Sequence, residues 1–164
     1  MMKAKKLAAL ALAVWMVLCL AACGGSASDK YEYQGVLLSL PEGFTVDDSS
    51  SNLVAYPPEY PEKTDNIVFA YSGADAADSY TQEILDAYYS TLMDDFQSKS
   101  FQKTTIGGKD VIKYSYDMSM NGVAMEQTQV MVFFSDKTVI ISFTSVSGDY
   151  DSAFSDAINS IEVK

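Results

Sequence analysis

The chain has 164 residues, with 22 acidic residues against 11 lysines and a formal net charge of −11 at neutral pH. It contains no arginine and no histidine, which excludes histidine-dependent nucleophile pairs, the usual histidine-based zinc sites and bidentate capture of anions by arginine. The negative charge also excludes nucleic acid as an expected partner, because binding to phosphates requires a basic surface.

The N-terminal segment has the pattern of a secretory signal. Three lysines precede an uncharged apolar run of 14 residues, Leu7 to Leu20, whereas a membrane-spanning helix needs about 20. Small residues then lead to Cys23. An ordinary signal peptide, with Cys23 as an incidental thiol, is one interpretation of this pattern. We predict a signal peptide over residues 1–22, a flexible tether over 23–30 and a single globular domain over 31–164.

The four residues Leu20-Ala21-Ala22-Cys23 resemble the bacterial lipobox. The resemblance implies that residues 1–22 are removed and that Cys23 carries a diacylglyceryl group, since two acyl chains anchor a protein stably. The expected location is the outer face of the cytoplasmic membrane. The tether over residues 24–30 would have a mean span of only about 15 Å. The mature chain would keep eight lysines against 22 acidic residues, a formal charge of −14.

Beyond the tether, the pattern predicts strands separated by turns and polar loops. The first is Tyr31–Leu40, which ends at a turn marked by proline and glycine. Shorter strands are predicted over Phe44–Val46, Leu53–Tyr56 and Ile67–Tyr71. The proline-rich loop from Tyr56 to Pro61 is predicted to be stiff and extended, because each proline restricts the residue before it.

Two amphipathic helices are predicted. The first runs from Ser79 to about Ser98, where Ser79 and Gln82 have the spacing of a capping box. Its apolar face contains Ile84, Leu85, Tyr88, Leu92 and Phe96. The second closes the chain, with Asp149 or Asp151 as its cap. Its apolar stripe contains Tyr150, Phe154, Ala157, Ile158 and Ile161.

Between the helices the chain reads as a meander. The predicted strands are Phe101–Ile106, Val111–Met120, Val123–Phe134 and Thr138–Val146. Asn121-Gly122 is a strong signal for a two-residue hairpin turn. The run from Val130 to Phe134 is apolar at every position, so its strand must be covered on both faces. The sequence therefore predicts an α+β domain in which helices pack on a largely antiparallel sheet.

Three landmarks resemble the PsbP-like superfamily, which includes the DcrB-like envelope proteins of bacteria. They are Leu40-Pro41-x-Gly43-Phe44, Ile106-Gly107-Gly108-Lys109-x-Val111 and Phe154-x-x-x-Ile158-x-x-Ser160-Ile161. The resemblance implies an α-β-α sandwich, with a central antiparallel sheet flanked by two main helices. It also implies a binding or assembly role rather than an enzymatic one. We expect no catalytic residue, cofactor or metal ion.

Three patterns of reactive side chains offer alternatives to this expectation. Ser100-x-x-Lys103 matches the nucleophile motif of penicillin-interacting enzymes, but the companion motifs are missing. Oxygen ligands for calcium are available at Asp47-Asp48, at Asp94-Asp95 and at Asp149 with Asp151, yet none has the spacing of an EF-hand. A hydrolase that uses two carboxylates alone stays open, because acidic residues are plentiful.

Tyrosine is abundant, with 11 residues in the chain. Tyr56 and Tyr60 lie on the proline-rich loop and are predicted to contact a protein partner, because tyrosine is enriched at interfaces. The alternative is that the tyrosines form the outer face of a half-buried sheet. The leading hypothesis is a non-enzymatic, lipid-anchored envelope module that binds or supports a protein near the membrane. A solute- or calcium-binding envelope module is the alternative, and a carboxylate-only hydrolase comes third.

Overall fold

A computed structural model describes residues 30–49 and 53–164. The strands are β1 (Tyr31–Tyr33), β2 (Val36–Leu38), β3 (Thr45–Asp47), β4 (Leu53–Tyr56), β5 (Asn66–Gly73), β6 (Asp94–Ile106), β7 (Lys109–Met120), β8 (Val123–Phe133), β9 (Lys137–Ser145) and β10 (Glu162–Val163). The α-helices are α1 (Gln82–Tyr89) and α2 (Asp151–Asn159), and a short 3-10 turn spans Ala77–Ser79. No helix within these described residues is long and apolar enough to cross a membrane.

The described strands form two sheets, and every pairing is antiparallel. The large sheet has the order β3-β4-β5-β9-β8-β7-β6, and the small one has the order β1-β2-β10. The predicted meander is confirmed as β6 to β9. At its central hairpin Asn121 and Gly122 have φ of 53° and 78°, as a tight two-residue turn between twisted strands requires.

The core occupies both faces of the large sheet, as predicted from the continuous apolar run in β8. Val130 and Val132 point to the face covered by α2 and the small sheet, hereafter the α2 face. Met131 and Phe133 point to the opposite face, which α1 covers, hereafter the α1 face. Successive residues of a strand point to opposite faces, so a strand buried on both must be apolar throughout.

The sandwich expected around the sheet is only loosely present. One helix lies on each face, but the helices have only eight and nine residues. Part of the cover on the α2 face comes from the small sheet, which the sequence did not predict. The predicted strand Tyr31–Leu40 was wrong, because Gln34 and Gly35 have φ of 54° and 91° and reverse the chain between β1 and β2.

The first helix is less than half as long as predicted. It begins after Thr81, whose hydroxyl accepts a hydrogen bond from the amide of Ile84 at 3.4 Å, so Ser79 is not its cap. It ends at Tyr89, and the chain re-enters the sheet at Asp94. The predicted apolar face was therefore wrong.

The residues of that predicted face lie in different environments. Leu85 is buried, while Ile84 and Tyr88 point to solvent with 52% and 58% of their surface exposed. Leu92 lies beyond the helix and is 62% exposed. Phe96 belongs to β6, where it packs half-buried on the α1 face.

A hydrogen-bonded network of tyrosine and glutamine side chains fills the space beneath α1. Tyr89 donates to Gln129 at 2.7 Å, Gln129 donates to Tyr116 at 3.2 Å, and Tyr116 donates to Gln127. Tyr114, fully buried beside them, donates to Asp86 of α1 at 2.5 Å. Burial raises the pKa of Tyr116, of Tyr114 and of Tyr89, which keeps these phenols neutral.

A buried carboxylate fixes the connection between β9 and α2. Asp65 has no exposed surface and accepts hydrogen bonds from the amides of Val146 and Ser147 at 3.0 and 3.2 Å. The hydroxyl of Ser147 donates to the same carboxylate at 3.0 Å. Because α2 begins only four residues later, Asp65 helps to set where that helix starts on the sheet.

The predicted stripe of α2 is largely confirmed, whereas its predicted cap is not. Phe154 and Ala157 are buried, and Ile161 is buried just beyond the helix. The N-cap residue is Tyr150, and its side chain makes no capping hydrogen bond. The two expected caps are engaged elsewhere: Asp149 pairs with Lys63, and Asp151 accepts from Ser145 at 2.5 Å.

Strand β6 forms one edge of the large sheet and is 13 residues long. Its pairing with β7 is irregular, with register shifts between Asp94 and Gln97 and between Ser98 and Ser100. Such bulges bend a strand and increase its local twist. The strand also carries two lysines, Lys99 and Lys103.

Candidate binding surfaces

The loop that carries Tyr56 and Tyr60 is folded into turns, so the prediction of an extended segment was wrong. The amide of Tyr60 donates to the carbonyl of Pro57 at 3.1 Å, and that of Lys63 donates to Glu59 at 3.1 Å. The fixed φ of proline suits turns as well as extended backbone. The two tyrosine rings stack with centroids 4.1 Å apart. Tyr56 is half-buried and Tyr60 is 50% exposed, so an ordered backbone presents an aromatic surface to solvent.

A small ionic cluster ties this tyrosine loop (residues 56–63) to the start of α2. The hydroxyl of Tyr150 donates to Glu59 at 2.5 Å, and Lys63 pairs with Asp149 at 2.9 Å. The hydrogen bond from Tyr150 lowers the pKa of Glu59, and the Lys63 ammonium lowers the pKa of Asp149. These exposed contacts add little stability individually. Their effect is to hold the loop in one place against the helix.

A polar groove of about 420 Å³ lies on the α2 face, between α2 and the strands β6, β7, β8 and β9. The register of the strands determines which residues lie side by side on its floor. One row across the strands holds Ser100, Ser115, Thr128 and Phe143. The next row towards the β6–β7 turn holds Gln102 and Lys113. The wall is formed by α2 residues that include Phe154, Ile158 and Asn159. The groove thus combines a hydroxyl-lined floor, an apolar wall, one ammonium group and, at its other end, the carboxylates of Glu126 and Asp151.

An acidic region adjoins the groove at the end nearer the β7–β8 hairpin, where a second cavity of about 500 Å³ opens. Asp117 and Glu126 face each other there in register. The ammonium of Lys99 lies 2.6 Å from Glu126 and 3.3 Å from Asp117. Lys99 thus forms an ion pair with both carboxylates.

The other reactive patterns do not assemble into sites. Ser100 and Lys103 lie within a strand rather than at the start of a helix. Ser100 faces the groove, while Lys103 on the opposite face pairs with Asp78 at 3.7 Å. No group of three or more acidic, cysteine or histidine side chains that could hold a metal ion occurs in residues 30–49 and 53–164. Cys23, the predicted lipidation site, lies outside the described residues.

Sequence reasoning missed the groove and Lys113. The signal was present in β7, where Lys113, Ser115 and Asp117 alternate with the buried Tyr114 and Tyr116. Alternation of this kind shows that one face of the strand is polar. It does not show which residues of other strands and of α2 lie beside that face, because their positions depend on register and on the packing of the helix.

No protein-family model matches this chain, and no curated protein matches it. Several solved structures do share its fold. The solution structure of cyanobacterial PsbP (CyanoP) from Synechocystis is similar with a TM-score of 0.63 and 14% identity, covering 87% of this chain and 97% of that one. LpqN, a Mycobacterium tuberculosis protein involved in cell envelope biogenesis, is similar with a TM-score of 0.56 and 16% identity, covering 86% and 87%.

A third similar structure comes from Bacteroides thetaiotaomicron, with a TM-score of 0.50 and 14% identity. It covers 79% of this chain but only 45% of its own chain. At such low identities these similarities concern the fold alone. The fold implied by the sequence resemblance is thus supported by these structures.

Proposed function

We propose that this protein is a non-enzymatic, lipid-anchored module at the outer face of the cytoplasmic membrane that binds a protein partner. The location is supported by the signal pattern and the lipobox resemblance at Cys23. The PsbP-like fold is compatible with such a role. The binding role rests on one observation, the stacked pair of Tyr56 and Tyr60 on a loop that is held in place by its neighbours.

The tyrosine loop suits a contact with another protein for two reasons. Tyrosine offers a large, rigid surface with few rotatable bonds, and its hydroxyl can hydrogen-bond at the rim of an interface. A loop that is already ordered loses little conformational entropy when it binds. The mature charge of −14 favours a partner with a basic surface, which long-range attraction would steer towards it.

Replacing Tyr60 by alanine is expected to abolish partner capture while leaving the fold intact, because the ring is half-exposed and outside the core. The measurement is co-purification from detergent-solubilised membranes of the native host, with partners quantified by mass spectrometry. Tyr71→Ala is the matched control, since Tyr71 is 60% exposed and lies on strand β5, outside the tyrosine loop. Equal recovery of the same partners with both variants, or none with the native protein, would contradict the proposal.

Replacing Cys23 by serine is expected to release the protein from the membrane, because serine cannot form the thioether that carries the acyl chains. Fractionation should move the protein from the membrane pellet to the soluble extracytoplasmic fraction. Intact-mass measurement of the native protein should show loss of residues 1–22 and a diacylglyceryl group on Cys23. A native protein with a free thiol at position 23 would rule out the anchor but would leave the tyrosine loop as a contact surface.

A further inference from the structure

Lys113 differs from the other lysines in the part of the chain that the structure describes. Each of the others has a charged or aromatic partner. Five pair with carboxylates (Lys30, Lys63, Lys99, Lys103 and Lys164), and two lie over the ring of Phe134 (Lys109 and Lys137). Lys113 has no carboxylate within 4 Å and no hydrogen-bond partner among the described residues. In a chain with twice as many acids as lysines, an unpaired lysine is unexpected.

Lys113 is also set apart by its position. Its side chain is half-buried and lines the polar groove rather than extending from an open surface. An ammonium that has no partner within the protein can pair with an anion that enters the groove. No carboxylate of the described residues supplies that anion, so the groove is suited to accept one from a ligand.

Neutral donors surround the same position. The hydroxyls of Ser115 and Thr128 lie 2.8 Å apart and share one hydrogen bond, so one hydroxyl hydrogen remains to be donated. Ser100, Gln102 and Asn159 line the groove and make no side-chain hydrogen bond among the described residues. An oxyanion bound by Lys113 would find several additional donors within the groove.

Two carboxylates, those of Glu126 and Asp151, line the groove itself, but they lie at the end away from Lys113, where Ser145 pairs with Glu126 and donates to Asp151. Asp117 lies four residues along β7 from Lys113, a distance of about 13 Å at the usual rise of a strand. That exceeds the Debye length of about 8 Å at physiological ionic strength. Asp117 and Glu126 are moreover bridged by Lys99, which offsets part of their charge.

We propose that the Lys113 end of the groove binds a small organic anion, with a carboxylate or phosphate head on Lys113 and the hydroxyl row. The apolar part of the ligand would lie against the α2 wall, where Phe154 and Ile158 are. The volume of about 420 Å³ is in the range of pockets for small molecules. This site is separate from the tyrosine loop, so it adds a ligand to the protein contact rather than replacing it.

The test is titration of the ¹⁵N-labelled domain with benzoate, with phenyl phosphate and with the neutral analogue benzamide, followed by amide chemical shifts. Benzoate or phenyl phosphate at millimolar concentration should shift the amides of Ser115, Thr128 and Asn159, while benzamide should not. Comparing the two anions shows which head the site prefers. Absence of shifts with both anions, or equal shifts with benzamide, would overturn the proposal.

Variants of the two lysines then locate the charge that matters. Lys113→Met and Lys113→Gln are expected to weaken binding roughly tenfold or more, whereas Lys113→Arg should retain it. Lys103→Met is the matched control, because it removes the same charge from the opposite face. Two conservative replacements at position 113 guard against a variant that fails to fold. Equal loss of binding in Lys103→Met would show that net charge alone, and no site at Lys113, attracts the anion.

Discussion

Replacing Asp65 by alanine is expected to lower the free energy of unfolding by about 2–4 kcal/mol. The change leaves the amides of Val146 and Ser147 and the Ser147 hydroxyl without their acceptor, and each buried donor left unpaired costs about 1–3 kcal/mol. The donors are partly buried, which places the total below the sum of three full penalties. Urea denaturation monitored by circular dichroism measures the loss.

Two further variants separate the role of the Asp65 carboxylate from a general effect of removing charge. Asp65→Asn keeps one acceptor oxygen and should lose less stability than Asp65→Ala. Asp110→Ala removes an exposed carboxylate and should change stability by less than about 0.5 kcal/mol. If Asp65→Ala were as stable as Asp110→Ala, the contacts of Asp65 would contribute nothing to the free energy of unfolding.

The protein is expected to lose stability steadily as the pH rises above about 10. Unfolded tyrosines lose their protons near that pH, whereas burial raises the pKa of Tyr116 and Tyr114 in the folded state. A hydrogen bond to Asp75, followed by burial, raises the pKa of Tyr80 to about 12. Above pH 10 the unfolded state therefore binds fewer protons, and the free energy of unfolding falls with pH. Below about pH 9 these tyrosines are protonated in both states, so their contribution to the free energy of unfolding does not change with pH.

Urea midpoints at a series of pH values between 8 and about 12 would measure this decline. Tyr116→Phe should be less stable at pH 8, because Gln127 and Gln129 lose a partner, yet its stability should fall less steeply above pH 10. Tyr71→Phe, which removes an exposed phenol, is the matched control. Identical slopes for Tyr116→Phe and the native protein would mean that Tyr116 titrates in the folded state as it does in the unfolded chain.

The fold could be predicted best where the sequence pattern is compatible with only one arrangement of a strand or turn. The run from Val130 to Phe133 requires cover on both faces, and the hairpin at Asn121-Gly122 requires its glycine. The first helix was misjudged because helical spacing also fits a short helix followed by a turn and a strand. The residues from Asp94 onward pair with β7, and that long-range pairing outweighs the local helical pattern.

The candidate sites could be predicted only in part, for a related reason. Tyr56 and Tyr60 were found because tyrosine and proline are themselves informative residue types. Asp65 was missed because its partners lie 81 and 82 residues away in the chain. The groove at Lys113 was missed because it exists only once the register of four strands and the packing of α2 are known. A sequence pattern indicates which face of a helix or strand is polar. It does not indicate which other helices and strands lie beside that face.

The irregular shape of the edge strand β6 affects whether copies of the protein aggregate with one another. An edge of 13 residues offers free amide and carbonyl groups to any neighbouring chain, and a flat edge of that length invites intermolecular strand addition and aggregation. The two bulges and the charges of Lys99 and Lys103 oppose such growth. These features oppose polymerisation through the β6 edge even when neighbours are crowded side by side.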